Sequence, residues 1–258
     1  MQVFLLGINH KTAPVEVRET LALSATQLPR ALRWLRRQSG LREIAILSTC
    51  NRAEIYGVGT PAAAARLEEL LSNFQALNHQ APAPNLQPSL YRARDAEAAR
   101  HLFRVAGGLD SLVLGESEIL GQVKTAHNAA RAHGALGETL DALYRRAIGC
   151  GKRARTETGI SRGALNVGSA AVELARGIFG PLAGHTVLIL GAGKMSSLTA
   201  QYLASSGARR LIVANRTYAR AQELAQTFAA ENPNLSQAVR WEEFPRLLRE
   251  TDIVIAST

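Results

Sequence analysis

Hydrophobic and polar positions along this chain follow two periods, and stretches of each kind alternate. Residues 2–7 suit a β-strand, as do 43–48 and 53–58, which flank a short polar turn. Between the first two, residues 25–38 take helical spacing, with Leu28, Leu32 and Leu35 on one face and arginines opposite. Residues 62–77 read as a helix, 90–92 as a short strand and 96–106 as another helix, while 78–88, rich in Pro, Ala and Gln, reads as a loop. The order β-α-β-β-α-β is that of a ferredoxin-like, split βαβ unit. Further helices are expected over 119–133 and 139–156.

The pattern then changes. Residues 158–163 are polar and hold two glycines, which marks the expected boundary between domains 1–160 and 161–258. After a helix over 166–179, strands at 185–190, 210–214, 238–241 and 252–256 alternate with helices at 195–205, 218–230 and 243–250. That alternation predicts a parallel, doubly wound sheet. In an order such as 3-2-1-4, four strands complete only the first mononucleotide half, so the expected second domain is an incomplete one.

Composition narrows the class. With 47% hydrophobic and 20% charged residues, the chain reads as a soluble globular protein. Its opening MQVFLLGINH lacks a basic leader and a small-residue cleavage site, and no run approaches the ~20 apolar residues of a membrane span. A cytoplasmic location is the default expectation, with no membrane partner. Two cysteines, Cys50 and Cys150, make neither a disulfide framework nor, alone, a zinc site, and no metal is expected. The formal net charge of +9 suits an anionic partner, a nucleic acid or a phosphorylated cofactor. The arginine clusters at Arg30, Arg33, Arg36, Arg37 and at Arg145, Arg146, Lys152, Arg153, Arg155 are equally compatible with solvated helix faces. Aromatic residues, at 5%, show no stacking pattern for single-stranded nucleic acid.

Two motifs carry chemistry. The first is Gly191-Ala192-Gly193 with Ser196 in place of a third glycine, set between a buried strand and a helix. Its first glycine permits a tight turn, and its second lets backbone approach a pyrophosphate seated on the helix N-terminus. The second strand of this domain ends in Asn215-Arg216-Thr217, where an NAD site usually carries a carboxylate for the ribose 2′-hydroxyl. With Arg216 and Arg220 there instead, a 2′-phosphate is favoured, hence NADPH over NADH. The other motif is LSTCNRAEIY, in which Cys50 follows an apolar strand at a polar turn. Arg52, two residues on, is placed to lower the thiol pKa, although most free cysteines are small buried hydrophobes. Cys150, between Gly149 and Gly151 on a helix, reads as structural. A thiol domain joined to a nicotinamide domain suits acyl capture followed by hydride transfer, because a thioester carbonyl is far more electrophilic than a carboxylate or an amide.

Five motifs in order, GINHKTAPVEVRE, LSTCNRAEIY, GLDSLVLGESEILGQVK, SRGALNVGSAAVELA and GAGKM, resemble those of the glutamyl-tRNA reductase family across the whole chain. The resemblance implies NADPH-dependent reduction of glutamyl-tRNA(Glu) to glutamate 1-semialdehyde, which opens tetrapyrrole (heme) biosynthesis and feeds the glutamate-1-semialdehyde aminotransferase. It also implies that Cys50 is the nucleophile that forms a thioester, and that Thr49, Asn51 and Arg52 line the glutamate pocket, with the Arg52 fork suited to the substrate carboxylate. Ser111, Glu116, Ser117, Glu118 and Gln122 match further substrate-contacting positions, and His101 matches a histidine that orients groups or moves protons near the ester. Lys194 and Met195 join Gly191, Ala192, Gly193, Ser196, Asn215, Arg216 and Thr217 as cofactor-binding positions. The expected fold class is therefore α/β, a ferredoxin-like βαββαβ catalytic domain with extra helices followed by a truncated Rossmann-type NADP-binding domain.

Glu116-Ser117-Glu118 departs from the usual Glu-Pro-Gln of the family, which adds a negative charge at Glu118. Family members also continue into the rest of the NADPH domain and a helical dimerisation domain. The expectation is a homodimer for the full-length protein and weak or no activity for a chain ending here. Two alternatives remain at this point. One is another NADP-dependent reductase resembling shikimate dehydrogenase, which leaves the Cys50 turn unexplained. The other is a non-catalytic tRNA-binding module, indifferent to Cys50→Ser.

Overall fold

A computed structural model describes residues 1–78, 86–160, 167–229 and 234–257, except for the side chains of 72–78 and of Lys194. The loop expected at 78–88 lies mostly outside the described residues, as does part of the expected boundary segment 158–163. The chain forms two compact units, Met1–Arg162 and Gly163–Thr258.

The first unit is built on an antiparallel sheet of β1 (Gln2–Asn9), β2 (Glu43–Ser48), β3 (Arg52–Gly59) and β4 (Tyr91–Arg94), in the order β2-β3-β1-β4. This is the split βαβ arrangement, with β3 inserted antiparallel between β1 and β2. Each of the eight residues of β3 is buried. Successive side chains of a strand point to opposite faces, so both faces of this sheet are covered. The covering helices are α1 (Val15–Leu21), α2 (Leu28–Ser39) and α3 (Pro61–Asn78), then α4 (Asp95–Ala106), α5 (Glu118–Ala132) and α6 (Glu138–Glu157). Within these sets α2 packs on α3, and α4, α5 and α6 pack on one another. The pairing of Asn9 with Arg52 brings the end of β1 beside the turn that joins β2 to β3.

Helix α1 was not expected from the pattern. It has only seven residues and begins after Pro14, and Leu21 is its one buried side chain, so no apolar stripe announces it. Leu23, just beyond it, donates its backbone N–H to Ser48 Oγ at 3.0 Å and so ties this segment to the end of β2.

The second unit is a parallel sheet of β5 (Thr186–Leu190), β6 (Arg210–Asn215), β7 (Ser236–Arg240) and β8 (Ile253–Ala256), in the order β7-β6-β5-β8. Helices α7 (Val167–Phe179), α8 (Lys194–Ser205) and α9 (Tyr218–Ala229) accompany it. Val187, Leu188, Ile189, Leu211, Ile212 and Val213 on the two central strands are almost wholly buried. The helix expected at 243–250 is instead a 3-10 turn, Trp241–Glu243, and one turn of helix, α10 (Phe244–Leu247). Pro245 sits in the first turn of α10, the one place in a helix where its ring and missing N–H are tolerated. The sheet order places a topological switch between β5 and β8, where doubly wound sheets open a crevice at their carboxyl ends.

Candidate active site

In the first unit the Ser48–Arg52 turn is held by Thr49. Its Oγ1 accepts the backbone N–H groups of Asn51 and Arg52, each at 3.1 Å, and its own N–H donates to Arg52 O at 2.8 Å. Asn51 O accepts the His10 N–H at 2.9 Å, which fastens the turn to the chain leaving β1. Cys50 stands exposed at the tip. A side chain at the apex of a turn cannot pack into either sheet face, so the small-hydrophobe reading of Cys50 does not apply. The adjoining protein and the carboxylates of Glu116 and Glu118 push its thiol up, against a downward pull from its own backbone and from Arg18. This corrects the expectation for Arg52: the side-chain cation that bears on the thiol is Arg18.

Arg52 is instead 1% exposed and committed below the turn. Its Nη1 donates to Glu54 Oε1 at 2.6 Å, and its Nη2 donates to Asp110 Oδ2 at 3.1 Å and to the Asp110 carbonyl. The fork that the sequence offers to a substrate carboxylate is thus engaged by two carboxylates of the chain itself. Glu54, fully buried on β3, also receives Tyr91 Oη at 2.5 Å and Tyr56 Oη at 2.7 Å, and pairs with His101 Nε2 at 2.9 Å. Burial alone would raise its pKa, but the bond from His101, the Arg52 charge and the Tyr91 hydroxyl reverse that and hold it at about 2. Asp110 is held below the usual carboxylate range against its burial by Lys11 and Arg52. Gly7 makes room for this network: a Cβ there would lie 2.9 Å from Glu54 Cγ and 3.1 Å from Tyr91 Oη.

The remaining candidates of this unit lie around the start of α5. Glu116 Oε1 accepts the Ile119 N–H at 3.0 Å and Ser111 Oγ at 3.3 Å, and Oε2 accepts the Glu118 N–H at 2.8 Å. Glu116 therefore caps the helix with its carboxylate, where the helix dipole favours negative charge. Ser117 is the N-cap residue but makes no side-chain cap bond. Gln122 follows Glu118 by one turn and is half-buried. Cys150 lies on α6 but is exposed, so it fills no core position. Its neighbour Gly151 does the packing there, since a Cβ at that position would come within 2.4 Å of Ala106 O. Sequence reasoning passed over Glu54, Tyr91, Asp110, Lys11, His10 and Arg18, all polar residues within or beside the quoted motifs or on β4.

In the second unit the candidate cofactor positions gather at the carboxyl ends of the strands. Gly191 has φ 110, and a Cβ there would meet Ser257 O at 2.1 Å. Replacing Gly191 with alanine should therefore lower the melting temperature of this unit, by roughly 1–3 kcal/mol of stability, in a calorimetric scan. Nothing lies within 4 Å of a Cβ built on Gly193, so the turn is open above the first amides of α8, as a pyrophosphate requires. Ser196 is fully buried, with Oγ 3.4 Å from Ser257 O, so the missing third glycine is replaced by a side chain small enough for close helix–strand packing. Ala192 follows Gly191 in the turn and Met195 lies in the first turn of α8, while the Lys194 side chain lies outside the described residues. Asn215 Nδ2 donates to Thr217 O at 2.9 Å and shapes the turn after β6. The Arg216 guanidinium stands 5.7 Å from the centre of the Trp241 ring, a cation–π placement that orders it at the sheet edge. Among the described residues no group of three or more His, Cys, Asp or Glu could hold a metal ion. No described helix is long and apolar enough to cross a membrane.

The family model for the N-terminal domain of glutamyl-tRNA(Glu) reductases matches residues 6–158, and that for shikimate/quinate 5-dehydrogenases matches residues 173–258. Curated relatives include glutamyl-tRNA reductases of Solibacter usitatus (46% identical, covering 100% of this chain and 59% of the relative) and Syntrophus aciditrophicus (44% identical, 100% and 60%). Among solved structures, the glutamyl-tRNA reductase from Methanopyrus kandleri aligns with a TM-score of 0.59 at 42% identity, over 99% of this chain and 58% of that one. The chain thus spans about three fifths of the length of these relatives.

Proposed function

We propose a reaction from the premise that this chain belongs to the glutamyl-tRNA reductase family. The protein reduces glutamyl-tRNA(Glu) to glutamate 1-semialdehyde and releases the tRNA, the first step of tetrapyrrole synthesis by the C5 route. The observation that carries this is the exposed Cys50 thiol on a turn fixed by Thr49 and by a buried charged network beneath it. The Cys50 thiolate attacks the ester carbonyl of glutamyl-tRNA; an S–C bond forms, the bond to the terminal ribose oxygen breaks, and that oxygen leaves with a proton. His101 is proposed to move that proton. Its Nε2 is engaged with Glu54, which leaves Nδ1 for the substrate side.

A nicotinamide cofactor, when bound, would supply the hydride that takes the acyl group to the aldehyde level, and Cys50 would be released as its thiolate. The residues that would hold the cofactor are the Gly191-Ala192-Gly193 turn, Lys194, Met195 and Ser196 at the start of α8, and Asn215, Arg216 and Thr217 after β6. Thr49, Asn51 and Ser111, with Glu116, Ser117, Glu118 and Gln122, form the proposed substrate pocket, and Arg52 supplies charge from its floor. The full-length protein is proposed to act as a cytoplasmic homodimer that passes its aldehyde to the semialdehyde aminotransferase.

Stopped assays with glutamyl-tRNA(Glu) and NADPH should show cofactor oxidation matched by released tRNA and aldehyde. Turnover of shikimate in its place would overturn the assignment. Arg216→Ala should weaken NADPH about tenfold or more, the scale of a lost bond to a charged group, and leave NADH binding unchanged. Equal loss for both cofactors in titration would remove Arg216 from the 2′-phosphate site.

A further inference from the structure

The sequence offers two arginine clusters, and the fold treats them differently. On α6, Arg145 pairs with Asp141 and Arg153 with Glu157, each at 2.8 Å and one turn apart. Arg155 of the same helix donates to the carbonyls of Ala106, Gly151 and Glu116. That cluster is answered within the chain. Helix α2 carries no acidic residue, and Arg30, Arg33, Arg36 and Arg37 make no ion pair among the described residues.

Leu32 and Leu35 of α2 are buried, which turns the arginines outward. Arg30, Arg33 and Arg37 follow one another three and four residues apart, so they form one exposed row about 10 Å long. Arg36 is half-buried and donates to the Gly134 carbonyl, which ties the row to the turn after α5. Between them lies an open groove of about 470 Å³, walled by Arg33, Arg36, Arg37 and His133 over Leu32 and Leu41, with no carboxylate in its lining. Unanswered guanidinium groups in a row repel one another and fit a uniformly anionic partner.

The Cys50 turn says which partner. Arg52 and Lys11 beside it are engaged by Glu54 and Asp110, and the carboxylates of Glu116 and Glu118 bear on the thiol. A nucleic acid whose end reacts at this turn gains little from its phosphates there, so its backbone is held elsewhere. The α2 groove includes Leu41, just before β2, whereas Cys50 follows the far end of that six-residue strand, about 20 Å along it.

We propose that the arginine row of α2 is a docking surface for the sugar-phosphate backbone of the tRNA, held there while its esterified end lies at Cys50. This rests on the reading of glutamyl-tRNA as the substrate. Guanidinium forks bind phosphate oxygens bidentately, and a row about 10 Å long spans on the order of three phosphates of one strand.

The test is equilibrium binding of unacylated tRNA(Glu) to the whole protein at several salt concentrations, a readout that does not depend on turnover. Wild-type affinity should fall steeply with salt. The double variant Arg33→Gln/Arg37→Gln should bind about tenfold or more weakly at low salt, with a log–log salt slope shallower by about two, one for each lost phosphate contact. Both side chains are exposed and unpaired, so the fold is retained. Arg33→Lys/Arg37→Lys should keep the slope. Arg145→Gln/Arg153→Gln removes the same two charges from α6 and should stay within a factor of about three of wild type, with the slope unchanged. Equal weakening by the two glutamine pairs would reduce the effect to net charge and overturn the proposal. Unaltered tRNA binding in Arg33→Gln/Arg37→Gln would also overturn it and leave the row to an acidic protein. Absence of tRNA binding by the wild-type protein would instead remove the glutamyl-tRNA reading, and this inference with it.

Discussion

Replacement of Cys50 by serine should lower reductase turnover by roughly a thousandfold or more, while Cys150→Ser retains it. The asymmetry follows from position. Both thiols are exposed, but only Cys50 stands at the apex of a turn whose backbone donors are fixed by Thr49 and whose floor is a buried ionic network. Cys150 sits on the surface of a helix with no such support. The pH dependence has a defined sign. Partial desolvation by the adjoining protein and the Glu116 and Glu118 carboxylates raise the pKa of this exposed thiol, so thiolate is scarce at neutral pH. The acylation rate should therefore still be rising with pH beyond the ordinary thiol range near 8.5. A rate that is flat from pH 6 upward would mean that the reacting group is not this thiol.

Glu54→Gln should be the most costly single change in the first unit. Glu54 is fully buried and accepts or shares four side-chain bonds, from Arg52, Tyr56, Tyr91 and His101. Breaking a buried pair leaves its partner charge uncompensated, at about 3–5 kcal/mol. The fall of its pKa from 4.5 to about 2 gives a similar figure, about 3 kcal/mol. The melting temperature should drop by roughly 6–20 °C. Because the folded-state pKa is depressed, this stabilisation is present above the unfolded value and is lost as pH falls from 4.5 toward 2. The gap between wild type and Glu54→Gln should therefore close across that window. A gap that stays constant down to pH 2 would show that the carboxylate charge is not what holds the network.

How legible all this was in the sequence depended on the range of the interactions. The second unit reads well because its signals are local. The turn Gly191-Ala192-Gly193 and its flanking strand and helix are contiguous, and the two central strands, β5 and β6, are compact apolar runs. Strand β2 falls at Glu43–Ser48, where its short apolar run, bounded by Glu43 and Ser48, places it. The Cys50 turn was visible for the same reason. Its floor was not. Glu54 reads as one polar position in an alternating strand, and its partners Tyr91 and His101 lie 37 and 47 residues away. The commitment of Arg52 to Asp110, 58 residues on, is equally invisible in LSTCNRAEIY. Arg18 was missed because α1 is too short to show a period.

The central claim, that Cys50 captures the glutamyl group, is tested most directly by trapping. The protein is mixed with radiolabelled glutamyl-tRNA(Glu) in the absence of NADPH, and label on the polypeptide that neutral hydroxylamine releases is counted. The expected result is label on the wild-type protein and on Cys150→Ser, and none on Cys50→Ser. Hydroxylamine-releasable label that persists in Cys50→Ser, or its absence from the wild-type protein, would contradict the thioester mechanism.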